Sequence, residues 1–178
     1  MFERVANHLQ AHGSKYAWIA VAITMIAPFE GYYGHPYRDS VGVKTICYGA
    51  TAADGIDFNR TYTKQECLQI LAKDLPKYDA PLKRCIKPEV YDALPAHRHA
   101  ALVSLAYNIG SAGVCRSSVV RDLNAGRLGH PGNPYDAHGH LLPGACNDFL
   151  KFSHGGGRVI KGLVNRRRQE RVACFRND

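Results

Sequence analysis

The stretch Glu30 to Thr51, EGYYGHPYRDSVGVKTICYGAT, carries the pattern that decides how this chain folds. Glu-Gly closes a helix, Pro-Tyr-x-Asp leads into a turn, and Gly-x-x-Thr-Ile-Cys-Tyr-Gly reads as a strand pair. Within it Glu30, Asp39 and Thr45 are spaced Glu-x8-Asp-x5-Thr. Glu30 follows the apolar run Tyr16 to Phe29, which desolvates it and favours its protonated form. Asp39 sits among Arg38, Ser40 and Gly42, a polar turn that keeps it charged. Two carboxylic acids held in opposite states are what cleavage of a glycosidic bond requires, one to protonate the leaving oxygen and one to act on the far face of the sugar.

Outward from this block the chain is one modest domain of 178 residues, long enough to bury a core, with an ordinary hydrophobic fraction of 46%. The expected organisation is a single domain over 1–178. An amino-terminal segment and helix occupy 1–29, a β-lobe with the site 30–62, and a linking helix with a helical lobe 63–178. Short β-like runs fall at Val41–Val43 and Thr45–Tyr48 in a stretch rich in Gly, Tyr and Asp, which predicts a small antiparallel hairpin. Thr63-Lys-Gln-Glu66 is a capping box, and Cys67, Leu68, Leu71 and Leu75 repeat behind it at helical spacing, up to Pro76 and Pro81. Further helices are expected over Pro95–Ile109, stopped by Gly110, over Ser117–Asn124, over Cys146–Phe152 and over Leu163–Cys174. The fold class is α+β and mostly helical.

The net charge of +8 suits a polyanionic partner, whether nucleic acid, anionic lipid or an acidic cell wall. No zinc-finger spacing, RNA-binding strand motif or phosphate-binding glycine loop is present, so no nucleic-acid partner is expected. Six dispersed cysteines, Cys47, Cys67, Cys85, Cys115, Cys146 and Cys174, form no Cys-x-x-Cys pair, which points to disulfides in an oxidising compartment. Sequence alone leaves about fifteen pairings open. His130, His138 and His140 lie in the Gly/Pro-rich stretch Arg127 to Gly144. Lacking an accompanying Cys or carboxylate pattern, they read as part of a surface loop, and no metal or cofactor is expected.

The Glu30–Thr51 block resembles the active-site segment of phage-type lysozymes, the endolysins that cut peptidoglycan. Leu105-Ala-Tyr-Asn-Ile-Gly110 is similar to that family's helix end beside the cleft, and Gly162-Leu163, Arg166-Arg167 and Glu170 to its carboxyl-terminal helix. The resemblance implies a two-lobed lysozyme-like fold and a catalytic set of Glu30, Asp39 and Thr45. It also implies the disulfides Cys47–Cys67, Cys85–Cys115 and Cys146–Cys174. The implied reaction is hydrolysis of the β-1,4 bond between N-acetylmuramic acid and N-acetylglucosamine, with inversion. Glu30 is then the general acid, and Asp39 and Thr45 hold the attacking water. Taken alone, Thr45 is equally a strand residue with a satisfied hydroxyl.

Tyr37, Tyr48 and Asn108 are candidate saccharide contacts. The two tyrosines serve equally as core residues, and Asn108 as a local cap. Arg166 or Arg167 can pair with Glu30, against a solvated basic face formed by Arg166, Arg167, Arg168 and Arg171. His35 has no Ser or Cys partner at an informative spacing and is assigned no role. The expected partner is peptidoglycan, met by a monomer exported to the host periplasm. The charge-free run Tyr16 to Phe29 makes about 21 Å of helix, short of the ~30 Å hydrocarbon core. It is therefore either a core helix or, as in some disulfide-containing phage endolysins, a releasable membrane anchor with Arg4 and Lys15 on the inner side. The competing functions are a membrane-active basic lytic protein, a lytic transglycosylase on the same scaffold, and a non-catalytic glycan-binding module. An intact Glu30, Asp39 and Thr45 argue against the last.

Overall fold

Helix α1 (Ala17–Glu30) forms from the charge-free run, and Trp18, Ala22 and Ile26 line up along it as its buried stripe. The computed structural model describes residues 16–39 and 42–177; residues 1–15, with Arg4 and Lys15, lie outside the described residues. Gly31, at φ +74°, breaks the helix in a backbone region that side-chain-bearing residues rarely adopt. The chain then enters an antiparallel hairpin of β1 (Tyr33–Arg38) and β2 (Lys44–Cys47), in register Tyr33↔Cys47, Tyr37↔Thr45 and Arg38↔Lys44.

The hairpin corrects one expectation. Val43 stands outside the strands, and the partner of β2 is the stretch Tyr33–Arg38, which contains Pro36. Val41, the start of the expected run, lies outside the described residues, and Asp39, Gly42 and Val43 are hydrogen-bonded to one another or to Arg38. The Asp39 N–H donates to Val43 O at 3.0 Å, the Val43 N–H to Asp39 Oδ1 at 2.8 Å, and Arg38 Nη1 to Gly42 O at 2.7 Å. In a two-stranded sheet each strand keeps an open edge, so a proline can sit there at no cost to the ladder.

Helix α2 (Lys64–Cys85) starts at the predicted capping box, with Thr63 Oγ1 accepting from the Glu66 N–H and the Glu66 carboxylate accepting from the Thr63 N–H. It runs through Pro76 and Pro81 and does not stop before them. Each proline removes one backbone donor, but Leu71, Leu75 and Leu82 stay buried along one side and hold the helix on course. Short helices α3 (Pro88–Asp92) and α5 (Ser111–Cys115), unmarked in the sequence, flank α4 (Ala96–Ile109). Helix α4 is buried continuously from Arg98 to Ala106, with the polar Arg98, His99 and Ser104 enclosed beside Leu102, Val103, Leu105 and Ala106, and stops at Gly110. Then follow α6 (Ser118–Asn124), capped by Ser117, a 3-10 turn (Asn147–Phe152), a two-residue hairpin β3–β4 (His154–Gly155, Arg158–Val159) and α7 (Lys161–Cys174).

Helices α1 and α7 pack on α4 to make the helical lobe, with α2 joining it to the hairpin. Three disulfides, Cys47–Cys67, Cys85–Cys115 and Cys146–Cys174, tie β2 to α2, α2 to α5, and the residue that precedes the 3-10 turn to α7. A buried polar tie that periodicity gave no hint of joins α2 to α4. Asp79 Oδ1 lies 2.7 Å from His99 Nε2, Tyr91 donates to Asp79 Oδ2 at 2.6 Å, and Trp18 stacks on His99. Among the described residues no helix is long and apolar enough to cross a membrane.

Candidate active site

Glu30 is the last residue of α1, one residue before the Gly31 break that leads into the hairpin. The apolar run before it does not enclose it, contrary to the expectation from sequence. Its side chain is 25% exposed, and Arg166 Nη1 donates to Oε1 at 2.6 Å. Arg166 is itself buried. Its Nε donates to Glu170 Oε1 at 3.1 Å, its Nη2 to Ser104 O at 3.2 Å, and its guanidinium lies over the Phe29 ring. Glu170 has no exposed surface and also accepts from Ser104 Oγ at 2.6 Å and from Arg167 Nη2 at 3.0 Å. Two arginines and two glutamates therefore form one neutral group running from the core to the site. Burial pushes the Glu170 carboxyl up and the Arg167 guanidinium down, and the opposite charges beside each oppose that push.

The basic face predicted for α7 is thus mostly an interior one. Arg166, Arg167 and Arg171 are buried, and Arg168 alone of the four is exposed. Arg166 reaches Glu30, whereas Arg167 is spent on Glu170. Arg171 donates through Nε to Asn147 Oδ1 at 2.9 Å, and its Nη2 takes the carbonyls of His130 and Gly132 at 2.8 and 2.7 Å, so it staples the 127–144 loop to the core. In that loop the His138 and His140 N–H groups both donate to Asp136 Oδ1, and no metal-holding group of His, Cys, Asp or Glu occurs among the described residues.

On the hairpin side, Val43 fastens two candidate residues at once. Its N–H donates to Asp39 Oδ1 at 2.8 Å, and its carbonyl accepts the Thr45 hydroxyl at 3.0 Å. With its proton committed there, the nearly buried Thr45 oxygen retains lone pairs to accept from a further donor. Directly across the ladder stands Tyr37. Its hydroxyl is raised above the ordinary phenol range, by burial first and then by the charges of Tyr33, Asp39 and Glu30. One phenol therefore feels both candidate carboxylates. From the helical side, Tyr107 and Tyr78 are also raised, chiefly by burial, and each feels Glu30. The Tyr107 hydroxyl donates to Tyr48 O at 2.5 Å and so bolts α4 to the hairpin.

The three candidate saccharide residues separate. Tyr48 is 3% exposed and belongs to the core, so its ring presents no face to a ligand. Tyr37 is half-buried at the junction, and Asn108 is exposed in the last turn of α4, where the Gly110 N–H is taken by Ala106 O. Sequence reasoning assigned no role to Tyr33, Tyr78, Tyr107 or Ser104. The traces they leave are a tyrosine-rich stretch after Glu30 and a lone hydroxyl inside an apolar helix. Glu170, three and four places from Arg167 and Arg166, carried a visible pairing signal.

A helical lobe and a small hairpin, joined by one helix and meeting over an acid at a helix end, define a lysozyme-like architecture. The family model for phage lysozyme matches residues 27–170. A SAR-endolysin of Enterobacteria phage P21 is 37% identical over 82% of this chain and 77% of its own length. Among solved structures, an endolysin from the Escherichia coli O157:H7 phage FAHEc1 superposes with a TM-score of 0.64 at 27% identity, covering 87% of this chain and 90% of that one. A mutant of P22 lysozyme superposes with a TM-score of 0.68 at 28% identity, covering 87% and 95%. The chain belongs to the phage lysozyme family, and as an endolysin of this type it degrades peptidoglycan.

Proposed function

We propose that this endolysin is an N-acetylmuramidase. It hydrolyses the β-1,4 bond between N-acetylmuramic acid and N-acetylglucosamine with inversion at the anomeric carbon. Glu30 is the general acid that protonates the leaving oxygen. Asp39 is the general base that takes a proton from the attacking water, and Thr45 Oγ1 accepts the water's second hydrogen. The observation that supports this reading is geometric: the Val43 N–H donates to Asp39, its carbonyl accepts the Thr45 hydroxyl, and Arg166 donates to Glu30 at the end of the neighbouring helix. Arg166 donates to one oxygen of the Glu30 carboxyl group and orients it, and when substrate is bound the group carries the proton that it gives to the leaving oxygen. An inverting course calls for the two carboxyl groups to stand about 6.5–9.5 Å apart across the sugar, leaving room for the water.

Mass spectrometry of muropeptides released from purified wall tests the reaction. Reducing muramic ends are expected. Anhydro ends would make the enzyme a lytic transglycosylase. Glu30→Gln keeps the shape but cannot donate a proton as an acid, so turnover should fall below roughly a tenth of the parent with melting unchanged. Turnover above that level would remove Glu30 as the acid, and whole-cell killing retained after wall clearing is lost would support the membrane-active class.

The enzyme acts in the periplasm, and residues 16–29 associate transiently with the inner membrane on the way. What supports this is the absence of charge along Tyr16 to Phe29, and its consequence falls on Trp18, Ala22 and Ile26. They are buried against the lobe in the folded enzyme and cannot simultaneously face lipid. Membrane insertion would therefore withhold the helix that carries Glu30. Fractionation before and after collapse of the membrane potential should move an uncleaved, inactive form from membrane to soluble, lytic fractions. Protein that is cytosolic throughout would leave this segment an ordinary core helix.

A further inference from the structure

Tyr33 is the most exposed tyrosine among the described residues, at 52%. A single exposed ring is unremarkable on its own. This one is held in a particular place by two independent contacts. Its centroid lies 4.5 Å from that of Tyr37, with the planes tilted by 41°. Its edge also lies over Gly31, where a Cβ would stand 3.4 Å from Tyr33 Cε2. Gly31 is the residue directly after Glu30, and Tyr37 is the phenol that feels Glu30 and Asp39. The open face of Tyr33 is therefore one ring away from both carboxylates, on the hairpin rim. Its neighbour Tyr32 is committed elsewhere. The Tyr32 hydroxyl donates to Tyr62 O at 2.6 Å, packed so closely over Gly34 that a Cβ there would lie 2.5 Å from it. Tyr32, 42% exposed, has its hydroxyl tied to Tyr62, whereas no hydrogen bond is seen for the Tyr33 hydroxyl among the described residues, and Tyr33 offers the larger open surface.

We propose that Tyr33, backed by Tyr37, is a stacking platform for one N-acetylhexosamine ring of the glycan strand, next to the bond that is cut. A pyranose has an apolar face of axial C–H groups rimmed by hydroxyls. A tyrosine matches both features, with a ring face for the C–H groups and a phenol oxygen for the rim. A glycan strand entering the site must cross the hairpin rim beside Glu30, where this pair lies. The platform rests on the muramidase reading for its ligand. It contributes binding that is equal in ground and transition states, so it acts on KM and leaves kcat alone.

The test separates binding from chemistry. In the Glu30→Gln background, the affinity for peptide-free glycan strands is measured by calorimetry with Tyr33 intact and as Tyr33→Ala, Tyr33→Phe and Tyr33→Trp. Tyr33→Ala should weaken binding roughly fivefold to tenfold, and the two aromatic replacements should restore most of it. In the active enzyme Tyr33→Ala should raise KM by the same factor, with kcat within about twofold of the parent. Melting temperature should fall by only a few degrees for Tyr33→Ala, roughly what the loss of one half-exposed ring pair costs, and stay near the parent for the aromatic replacements. Equal affinities across the series would overturn the platform. So would a loss confined to strands that carry stem peptides, which would make Tyr33 a peptide contact. Product analysis reads the other proposal independently. Anhydro ends would overturn hydrolysis while the binding series still decides Tyr33.

Discussion

Replacing Glu170 by Gln leaves the shape of α7 intact and removes one negative charge from a fully buried group. In the native protein Arg166 and Arg167 are balanced by Glu30 and Glu170. After the substitution Arg166 keeps Glu30, but Arg167, with no exposed surface, loses its carboxylate. Breaking a buried pair by removing one partner costs about 3–5 kcal/mol, because the remaining charge has neither water nor counter-ion. For a chain of this size that is a fall in melting temperature of roughly 6–20 °C. Arg167→Met should cost a similar amount by the converse route. The double variant Arg167→Met/Glu170→Gln is neutral again, so it should be more stable than the sum of the single losses implies, with a coupling of roughly 1–3 kcal/mol. Urea unfolding at neutral pH, in low and in high salt, provides the measurement. Salt should change the losses little, since buried charges are poorly screened. A loss below about 1 kcal/mol for Glu170→Gln, or strict additivity in the cycle, would refute charge compensation as what holds this group together.

Three further outcomes are expected. Thr45→Glu puts a carboxylate where the water is proposed to sit, so turnover should collapse or the first-formed anomer should change from inverted to retained; proton NMR of the product reports which, and unchanged inversion at full rate removes Thr45 from the water site. Glu66 is held down to about 2, from an ordinary 4.5, by Arg60 first and then by the Thr63 N–H and hydroxyl. A depressed acid stabilises the fold above its unfolded value. The stability advantage over Glu66→Gln should therefore be complete above about pH 4.5 and vanish as the pH falls toward 2; a difference between the two proteins that does not depend on pH would contradict it. Opening Cys146–Cys174 with paired serines should cost about 3–4 kcal/mol, and alkylation without prior reduction should label no cysteine in the parent; six labelled thiols would end the disulfide assignment.

The parts of the fold that rest on neighbouring residues were legible in the sequence. The capping box at Thr63, the buried run of α4, the stop at Gly110 and the hairpin after Glu30 each carry their signal within a few positions. Pro36 disguised β1, because strand preference counts against proline even where an edge strand can hold it. Pro76 and Pro81 suggested a break that the packing of Leu75 and Leu82 overrides. Tyr48 looked as available as Tyr37, since alternation along a short strand does not say which side another lobe will cover. Helix α7 was the most misleading element. Lys161 to Cys174 is dense in arginine and reads as a solvated face, yet Arg166, Arg167 and Arg171 are buried. Arg167 pairs with Glu170 three places on, and the expected reach of Arg166 to Glu30 is met, but Ser104, Asn147 and the carbonyls of the 127–144 loop are far away in sequence and no local pattern encodes them.

That misreading has a physical cause tied to function. An acid placed at the end of an apolar helix, at the junction of two lobes, needs a cation to fix it. A fixed cation is a buried one, and a buried cation needs its own counter-charge. Arg166 therefore requires Glu170, and Glu170, sealed from water, draws in Arg167 and the Ser104 hydroxyl. Each step deeper into the core is forced by the one before it, and the series begins at Glu30. An apolar core of the same volume would be at least as stable. On the proposed role of Glu30, local rules fail along α7 because the charges there answer to a partly exposed carboxylate, the kind of departure from local consistency that a functional site leaves in a sequence.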